Sequence, residues 1–334
     1  MKMEKRLPVV GITLGDVAGI GPEVVAKALR HGEVGAVCHP LVIGDARILA
    51  DPKFVAEIAN VDVIHTLAAA SYEPGWVTFL DLQNLDPATV KLGEVSSEAG
   101  RAAVEYVLKA TELAQSGAID AVATAPLNKE AMRLAGYDYI GHTEILADVT
   151  QTQRCTTMLA TTGLRVTHVT RHIPFREIAA HITEENVFNT IVITDEGMRA
   201  LGYASPRLAV AGLNPHNGEG GLLGREEIDE IAPAVALARQ RGIDVEGPIP
   251  ADSVFFRAIR GDYDVVVTLY HDQGHVAVKT HGFERSITIT LGLPIIRTSA
   301  DHGTAFDIAG QGIASEESML VAITEAARMA QQRM

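Results

Sequence analysis

The chain has only two cysteines, Cys38 and Cys155, in 334 residues. Two thiols so far apart make no disulfide framework, so a reducing compartment, the cytoplasm, is expected. No apolar run approaches the ~20 residues of a transmembrane helix, which argues against a membrane span. The opening stretch MKMEKRLPVVGITLGD passes from charged residues straight into a strand-like segment, without an apolar h-region or a small-residue cleavage site, so no secretory signal is expected. Basic charge is scarce too: 28 Lys and Arg stand against 42 Asp and Glu, a formal net charge of −14. A phosphate polymer or an anionic membrane surface demands a basic footprint, so nucleic acid and membrane are excluded as partners. A small anion can still bind at a local basic pocket. Internal repeats, low-complexity segments and long Pro/Gly/Ser linkers are missing, so two domains, if present, are joined by ordered crossings.

What remains is rich in Ala, Val, Ile and Gly, with 47% hydrophobic, 21% charged and 5% aromatic residues, the balance of a globular α/β protein. At ~150 residues per domain the length suggests about two domains. Strand-like and helix-like runs alternate: VVGITLG then PEVVAKALRHG, AVCHPLVIG then DARILADPKFVAEIAN, SSEAGRAAVEYVLKATELAQSG then IDAVATAP. That alternation predicts βαβ units around a largely parallel sheet. Ser96 to Gly117 predicts the clearest helix, with a broad apolar face from Ala99 to Ala114, a capping serine in front and a glycine behind. Leu208 to Leu213 and Val265 to Tyr270 predict central strands, and Arg225 to Gly242 a helix between them.

Three strand-like segments each arrive at a histidine. GLRVTHVTRHIPF reaches His172 before Pro174, RLAVAGLNPHNGEGG reaches His216, and DVVVTLYHDQGH reaches His271. Ligands of open α/β sheets bind outside the carboxyl ends of the strands. Three imidazoles delivered there predict a facial set for one divalent metal, with positions left for substrate. Each could instead be a loop histidine or a general base. His142 in YIGHTEILA and His302 in SADHGTAFDIAG also lie in loops, so spacing alone does not choose three ligands among five.

The run GITLGDVAGIGPEVVAKAL is a strand, a loop with Gly15, Gly19 and Gly21, and a helix opened by Pro22. Its glycine spacing fits neither a dinucleotide fingerprint nor a P-loop, which leaves a tight turn or a loop at a cofactor or substrate cleft. Lys279, Arg285 and Arg297 stand close together in this acidic chain. Arg297 follows the buried run SITITLGLPII, so its charge is expected to face either a structural ion pair or a site, where arginine suits carboxylate or phosphate. Lys279 could neutralise an anionic substrate or carry a proton.

GDVAGIGPE, IGHTEILA, RHIPFREIA, LNPHNGEGG, GPIPADSVF, YHDQGH and ITLGLPIIRTSADHGTAFDIAG, in that order over essentially the whole chain, resemble the 4-hydroxythreonine-4-phosphate dehydrogenase family. The resemblance implies an α/β fold of two α/β/α-layered domains with a cleft between them, like the isocitrate and isopropylmalate dehydrogenases. Residues 1–128 plus 300–334 would carry much of the cofactor site, and 129–299 the metal and substrate groups and the dimer interface. It implies NAD-dependent, metal-dependent oxidation of a phosphorylated hydroxy acid with loss of carbon dioxide, in a homodimer whose metal ligands are shared between subunits.

The family's metal histidines fall on His172, His216 and His271, holding one divalent ion per site; imidazole favours zinc, cobalt or nickel over magnesium. Its substrate contacts fall on His142, Thr143, Lys279 and Arg297, with Thr288 where the family usually has asparagine. DHGTAFDIAGQGIAS resembles the cofactor loop of the isocitrate and isopropylmalate dehydrogenases, which implies NAD contacts at His302, Gly303, Thr304, Asp307 and Gly310. A carboxylate at Asp307 favours NAD over NADP. Lys279, Asp272 and Asp252 are the candidates for proton transfer, Asp252 alternatively as the partner that orients an imidazole. Thr288, and Val17 where the first loop usually has proline, resemble a paralogous branch that turns D-threonate or D-erythronate 4-phosphate into dihydroxyacetone phosphate and carbon dioxide. The alternative is 4-hydroxy-L-threonine 4-phosphate, on the route to pyridoxal phosphate. Remoter alternatives are a metal-dependent hydrolase and a regulator that binds NAD without turnover.

Overall fold

The computed structural model describes residues 6–51, 53, 54, 58 and 60–334. Among these the strands are β1 (Val9–Thr13), β2 (His39–Gly44), β3 (Val61–Ile64), β4 (Val77–Asp81), β5 (Ala121–Thr124), β6 (Thr156–Thr161), β7 (Leu164–His168), β8 (Leu208–Ala211), β9 (Val245–Ile249), β10 (Val265–Thr268), β11 (Ile287–Leu291) and β12 (Arg297–Ala300). The chain divides into two compact units, Met1–Gln153 with Leu293–Met334, and Arg154–Gly292. The helices Lys129–Leu134 and His142–Val149 therefore belong to the first unit, whereas the expected boundary put them in the second.

In the first unit the strands run β3-β4-β2-β1-β5-β12 and every pairing is parallel. β1 and β5 are buried at every position, as central strands covered on both faces must be. The helix Ser97–Gln115 begins where its cap dictates, because the Ser96 hydroxyl accepts the Ala99 N–H. Val104, Val107 and Leu113 on its inner face are buried, and each contributes on the order of 1.5–3 kcal/mol by leaving water. That face packs on β1 and β2, while the helix Glu317–Arg333 packs on β12 and β5. The helix expected over DARILADPKFVAEIAN is a short 3-10 turn, Ala46–Ala50, capped by Asp45. Pro52, residues 55–57 and Ala59 of that stretch lie outside the described residues.

In the second unit the order is β11-β6-β7-β10-β8-β9. β7, β10, β8 and β9 are parallel neighbours, but β6 runs antiparallel to both β11 and β7. The parallel sheet expected from the alternation thus gives way to a hairpin, because only Thr162 and Gly163 separate β6 from β7 and a two-residue link can join only antiparallel strands. The helix expected over Arg225 to Gly242 is a π turn, Glu227–Ile231, followed by an α-helix, Ala232–Gln240. The register changes next to Pro233, which has no N–H to give to a carbonyl one turn back. No helix among the described residues is long and apolar enough to cross a membrane.

Candidate active site

Because β7, β10 and β8 are parallel neighbours, their carboxyl ends share one edge of the second unit's sheet. β7 ends at His168, four residues before the expected His172. His168 is 4% exposed, bonds through Nδ1 to the Thr268 hydroxyl, and has its Nε2 shielded without a partner. Burial, with the neighbouring His275 and His271 adding to it, pushes its pKa down to about 3. His172 follows in an exposed bend. His271 lies in no loop: it opens the helix His271–Gly282. Its ring stacks on that of His275 at 3.6 Å and lies 5.7 Å from that of His172, centroid to centroid, while Nδ1 is 2.6 Å from Asp272 Oδ1.

His216 is exposed and sits in a left-handed turn at φ 50°, with Nδ1 3.9 Å from Asp252 Oδ2. Beside it is a cavity of about 280 Å³ bounded by Asn214, His216, Asp252, Tyr270 and Gln273. Lys279 is half-buried farther along the His271 helix, its Nζ 5.2 Å from the centre of the Phe283 ring. Thr288 is half-buried on β11 opposite Leu159.

The His172 and His271 rings are spaced as two ligands of one ion can be, given nitrogen–metal bonds of about 2.0–2.1 Å. Asp252 and Asp272 stand beside imidazoles as carboxylates that orient metal-bound histidines do. Among the described residues, however, no three His, Cys, Asp or Glu are gathered as a metal set. The facial set expected of His172, His216 and His271 is brought to one edge but not drawn together within this chain; the nearest charged neighbour of His216 is Asp252, at 3.9 Å.

The first unit carries the remaining polar groups. His142 opens the helix His142–Val149 and gives a ring N–H to the Ala125 carbonyl; its Nε2 is shielded and has no partner. Burial, and then the nearby Arg297 charge, hold its pKa well below the usual histidine range, so the ring is neutral. Arg297 is 3% exposed and donates from Nε and Nη2 to Thr124 Oγ1 at 3.2 and 2.6 Å. Burial lowers its pKa to about 9, with Glu144 opposing the change. Thr143 is half-buried next to His142. His142, Thr143 and Arg297 thus lie on the first unit, at the end of β5.

The glycine loop that follows β1 packs on the residues expected to meet the cofactor. The Ile20 N–H donates to the Thr304 carbonyl, and a Cβ on Gly19 would fall 2.6 Å from that oxygen. Thr304 is buried, while Gly303, Asp307 and Gly310 are exposed. His302 keeps Nδ1 3.0 Å from the Gly303 carbonyl and has a shielded, unpartnered Nε2. Asp307 lies in a 3-10 turn, Phe306–Ile308, and caps no helix. These exposed glycines and the free-standing carboxylate suit the close approach and ribose contacts that a dinucleotide needs.

Three polar groups here escape a reading by spacing: His168, Gln273 and Asp16. Asp16 is fully buried, accepts the Ala18 N–H through Oδ1 and has a shielded, unpartnered Oδ2. A carboxylate wedged between Gly15 and two apolar residues was the available signal. A larger cavity, of about 800 Å³, lies at the amino ends of β2 and β4 between His31, Cys38, His39 and Trp76. None of the candidate site residues lines it.

The family model of the pyridoxal phosphate biosynthetic protein PdxA matches residues 36–326. Two curated relatives carry the name "Putative D-threonate 4-phosphate dehydrogenase". The one from Clostridium botulinum (strain Langeland) is 47% identical over 327 residues, 98% of this chain and 98% of its own. The one from Symbiobacterium thermophilum is 48% identical over 324 residues, 97% of each. A crystal structure of 4-hydroxythreonine-4-phosphate dehydrogenase from Klebsiella pneumoniae is 46% identical, with a TM-score of 0.88 over 97% of this chain and 99% of that one. A family match across most of the chain, with relatives at nearly half identity over their full length, means that the chain belongs to the PdxA family of dehydrogenases.

Proposed function

We propose that the chain oxidises and decarboxylates a four-carbon 4-phosphorylated hydroxy acid with NAD as oxidant, D-threonate or D-erythronate 4-phosphate giving dihydroxyacetone phosphate and carbon dioxide. The observation that carries this reading is the pairing, at the end of β5, of the buried Arg297 guanidinium with the half-buried His142 ring, whose Nε2 is shielded, in a chain of net charge −14. A desolvated guanidinium is a strong, directional receptor for phosphate or carboxylate. The shielded Nε2 of His142 adds a second contact, and Thr143 a third. The relatives' name supports the choice of acid. So does Thr288, whose single hydroxyl stands where the family usually presents an amide.

His172, His216 and His271 would hold the divalent ion, zinc, cobalt, nickel or magnesium. When bound, the ion supplies polarisation of the hydroxyl and ketone oxygens, and NAD supplies the hydride acceptor. Lys279, Asp272 or Asp252 takes the proton of the C3 hydroxyl as C3 is oxidised. In the 3-keto acid the C1–C2 bond then breaks, carbon dioxide leaves, and the same residue returns a proton to C2. Asp252 and Asp272 orient His216 and His271. The loop from His302 to Gly310 meets the adenosine end of NAD, where Asp307 accepts the ribose hydroxyls and repels a 2′-phosphate. Leu222, Phe256, Val276 and Phe283 expose large apolar side chains on the second unit. The family resemblance, and the three histidines not being drawn together within one chain, support a homodimer with the ion's ligands shared between its subunits.

The test offers purified protein, NAD and each divalent ion the 4-phosphates of D-threonate, D-erythronate and 4-hydroxy-L-threonine, and follows absorbance of the reduced nicotinamide. Turnover of the first two is expected. If only the amino-bearing acid reacts, the assignment moves to pyridoxal phosphate synthesis; if phosphate or water chemistry proceeds without NAD reduction, the protein is a hydrolase. Binding of NAD with no turnover of any acid would make it a regulator.

A further inference from the structure

Gln273 is the third residue of the helix that His271 opens, yet its side chain turns back toward the sheet. Its Oε1 accepts the Leu269 N–H at 2.7 Å and its Nε2 donates to the Gly212 carbonyl at 2.8 Å. Leu269 directly follows β10 and Gly212 directly follows β8. The ladder between these parallel strands ends at the pair Val267↔Val210. Beyond it the backbones part, β8 into the turn that carries His216 and β10 into the helix that begins at His271. One planar amide therefore replaces the next rung, offering an acceptor to one strand and a donor to the other.

We propose that Gln273 is a positioning residue that sets the separation and register of the His216 loop against the start of the His271 helix. What that register serves rests on the metal reading above; the register itself does not.

The loop needs such an anchor. His216, Asn217 and Glu219 have φ of 50°, 56° and 47°, a left-handed conformation in which a side chain crowds its own backbone. Other bonds hold the loop on its far side: Glu227 accepts the Leu213 and Asn214 N–H groups at 2.7 and 2.6 Å, and Asn217 donates to the Pro248 carbonyl at 2.8 Å. Gln273 joins its root to β10. The His172 segment is tied to the same point, since the Thr170 hydroxyl and N–H both donate to the Leu269 carbonyl, at 2.8 and 3.1 Å. Leu269 is thus where the three histidine-bearing segments meet, with its N–H on Gln273 and its carbonyl on Thr170. At the next position, a Cβ on Gly274 would lie 2.5 Å from the His168 ring, so the helix start is seated on His168 and the amide has a fixed platform.

The chemistry requires glutamine. A glutamate would keep the bond from Leu269 but set a carboxylate oxygen against the Gly212 carbonyl, and asparagine is one methylene too short for the span. The test uses the full-length metal-free protein and two variants, Gln273→Met, close in size with no amide, and Gln273→Glu. Amide exchange is followed by mass spectrometry. In Gln273→Met, segments 212–222 and 266–272 are expected to exchange at least ~10-fold faster than in the parent, with β1, β5 and β12 unchanged. In Gln273→Glu the increase should be confined to 212–222, since the Leu269 bond survives. Cobalt(II) affinity, read from its visible absorption, should fall ~10–100-fold in both, as on losing an outer partner of a metal ligand. Parent-like exchange at 212–222 in Gln273→Met would overturn the proposal. So would loss of protection across the whole chain in both variants, which would make Gln273 a general core residue. If the parent takes up no cobalt while the local exchange changes occur, the spacer role stands and the metal reading falls.

Discussion

Asp16 offers a quantitative test of how the first unit manages a buried charge. Its carboxyl is fully buried, with one oxygen bonded to the Ala18 N–H at 2.9 Å and the other shielded without a partner. Burial pushes its pKa from 3.8 up to about 6, the Ala18 bond opposing the change. The folded protein therefore holds this proton more tightly than the unfolded chain does. The stability that Asp16 contributes is fully present below about pH 4 and is lost as pH rises through about 6, where the folded state must keep an ionised carboxylate out of water. Such a difference amounts to about 3 kcal/mol in total, of which about 1.4 kcal/mol falls between pH 5 and pH 8. Asp16→Asn keeps an acceptor for Ala18 and cannot ionise. Relative to the parent, the variant should gain that ~1.4 kcal/mol on going from pH 5 to pH 8, or roughly 3–6 °C in Tm for a unit of this size. Thermal unfolding followed by circular dichroism at the two pH values measures it. A difference in Tm between variant and parent that is the same at both would refute the reasoning, because a packing or hydrogen-bond effect carries no proton.

Three further outcomes follow from the site. Replacing exposed His216 with alanine should abolish turnover and cobalt uptake while moving Tm by less than about 2 °C, since surface substitutions rarely cost more than ~0.5 kcal/mol; His172→Ala and His271→Ala should lose the same activity, and full activity of His216→Ala after exhaustive chelation would remove it from the ligand set. kcat/KM should be higher with NAD than with NADP, and Asp307→Ala should narrow that ratio by about 10-fold, near the ~1–3 kcal/mol of a lost polar contact; a parent enzyme that prefers NADP would show that Asp307 does not read the ribose. Thr288→Asn should shift relative kcat/KM toward 4-hydroxy-L-threonine 4-phosphate by roughly 5- to 150-fold on the same scale, and an unchanged ratio would relieve Thr288 of any part in specificity.

The strand ends show where a linear pattern stops being informative. The expected strands Leu208 to Leu213 and Val265 to Tyr270 close instead at Ala211 and Thr268. Leu269 is as buried as the strand before it, but its N–H goes to Gln273, and the Leu213 N–H goes to Glu227. Burial without pairing looks the same in a sequence as burial within a sheet. His168 was hidden for a related reason: in an alternating strand it reads as one more polar position, and what buries it is the Thr268 hydroxyl and the His275 ring on other elements. His172 and His271 were legible as endpoints of apolar runs, but that His271 starts a helix, and that His216 sits in a left-handed turn, was not.

By itself the sequence determined the α/β class, the helix Ser97–Gln115 with its Ser96 cap and the family. These depend on composition, on periodicity and on ordered motifs, all of which are properties of neighbours along the chain. The tertiary structure alone decided which histidines are buried, which oxygen of the Asp16 carboxylate is shielded from any partner and which amide ties two strand ends together. Gln273 and Gly212 are 61 residues apart. A bond between them exists only because parallel strands must be joined by long crossings that carry their ends back to one edge, and no local pattern encodes which distant carbonyl will be waiting there.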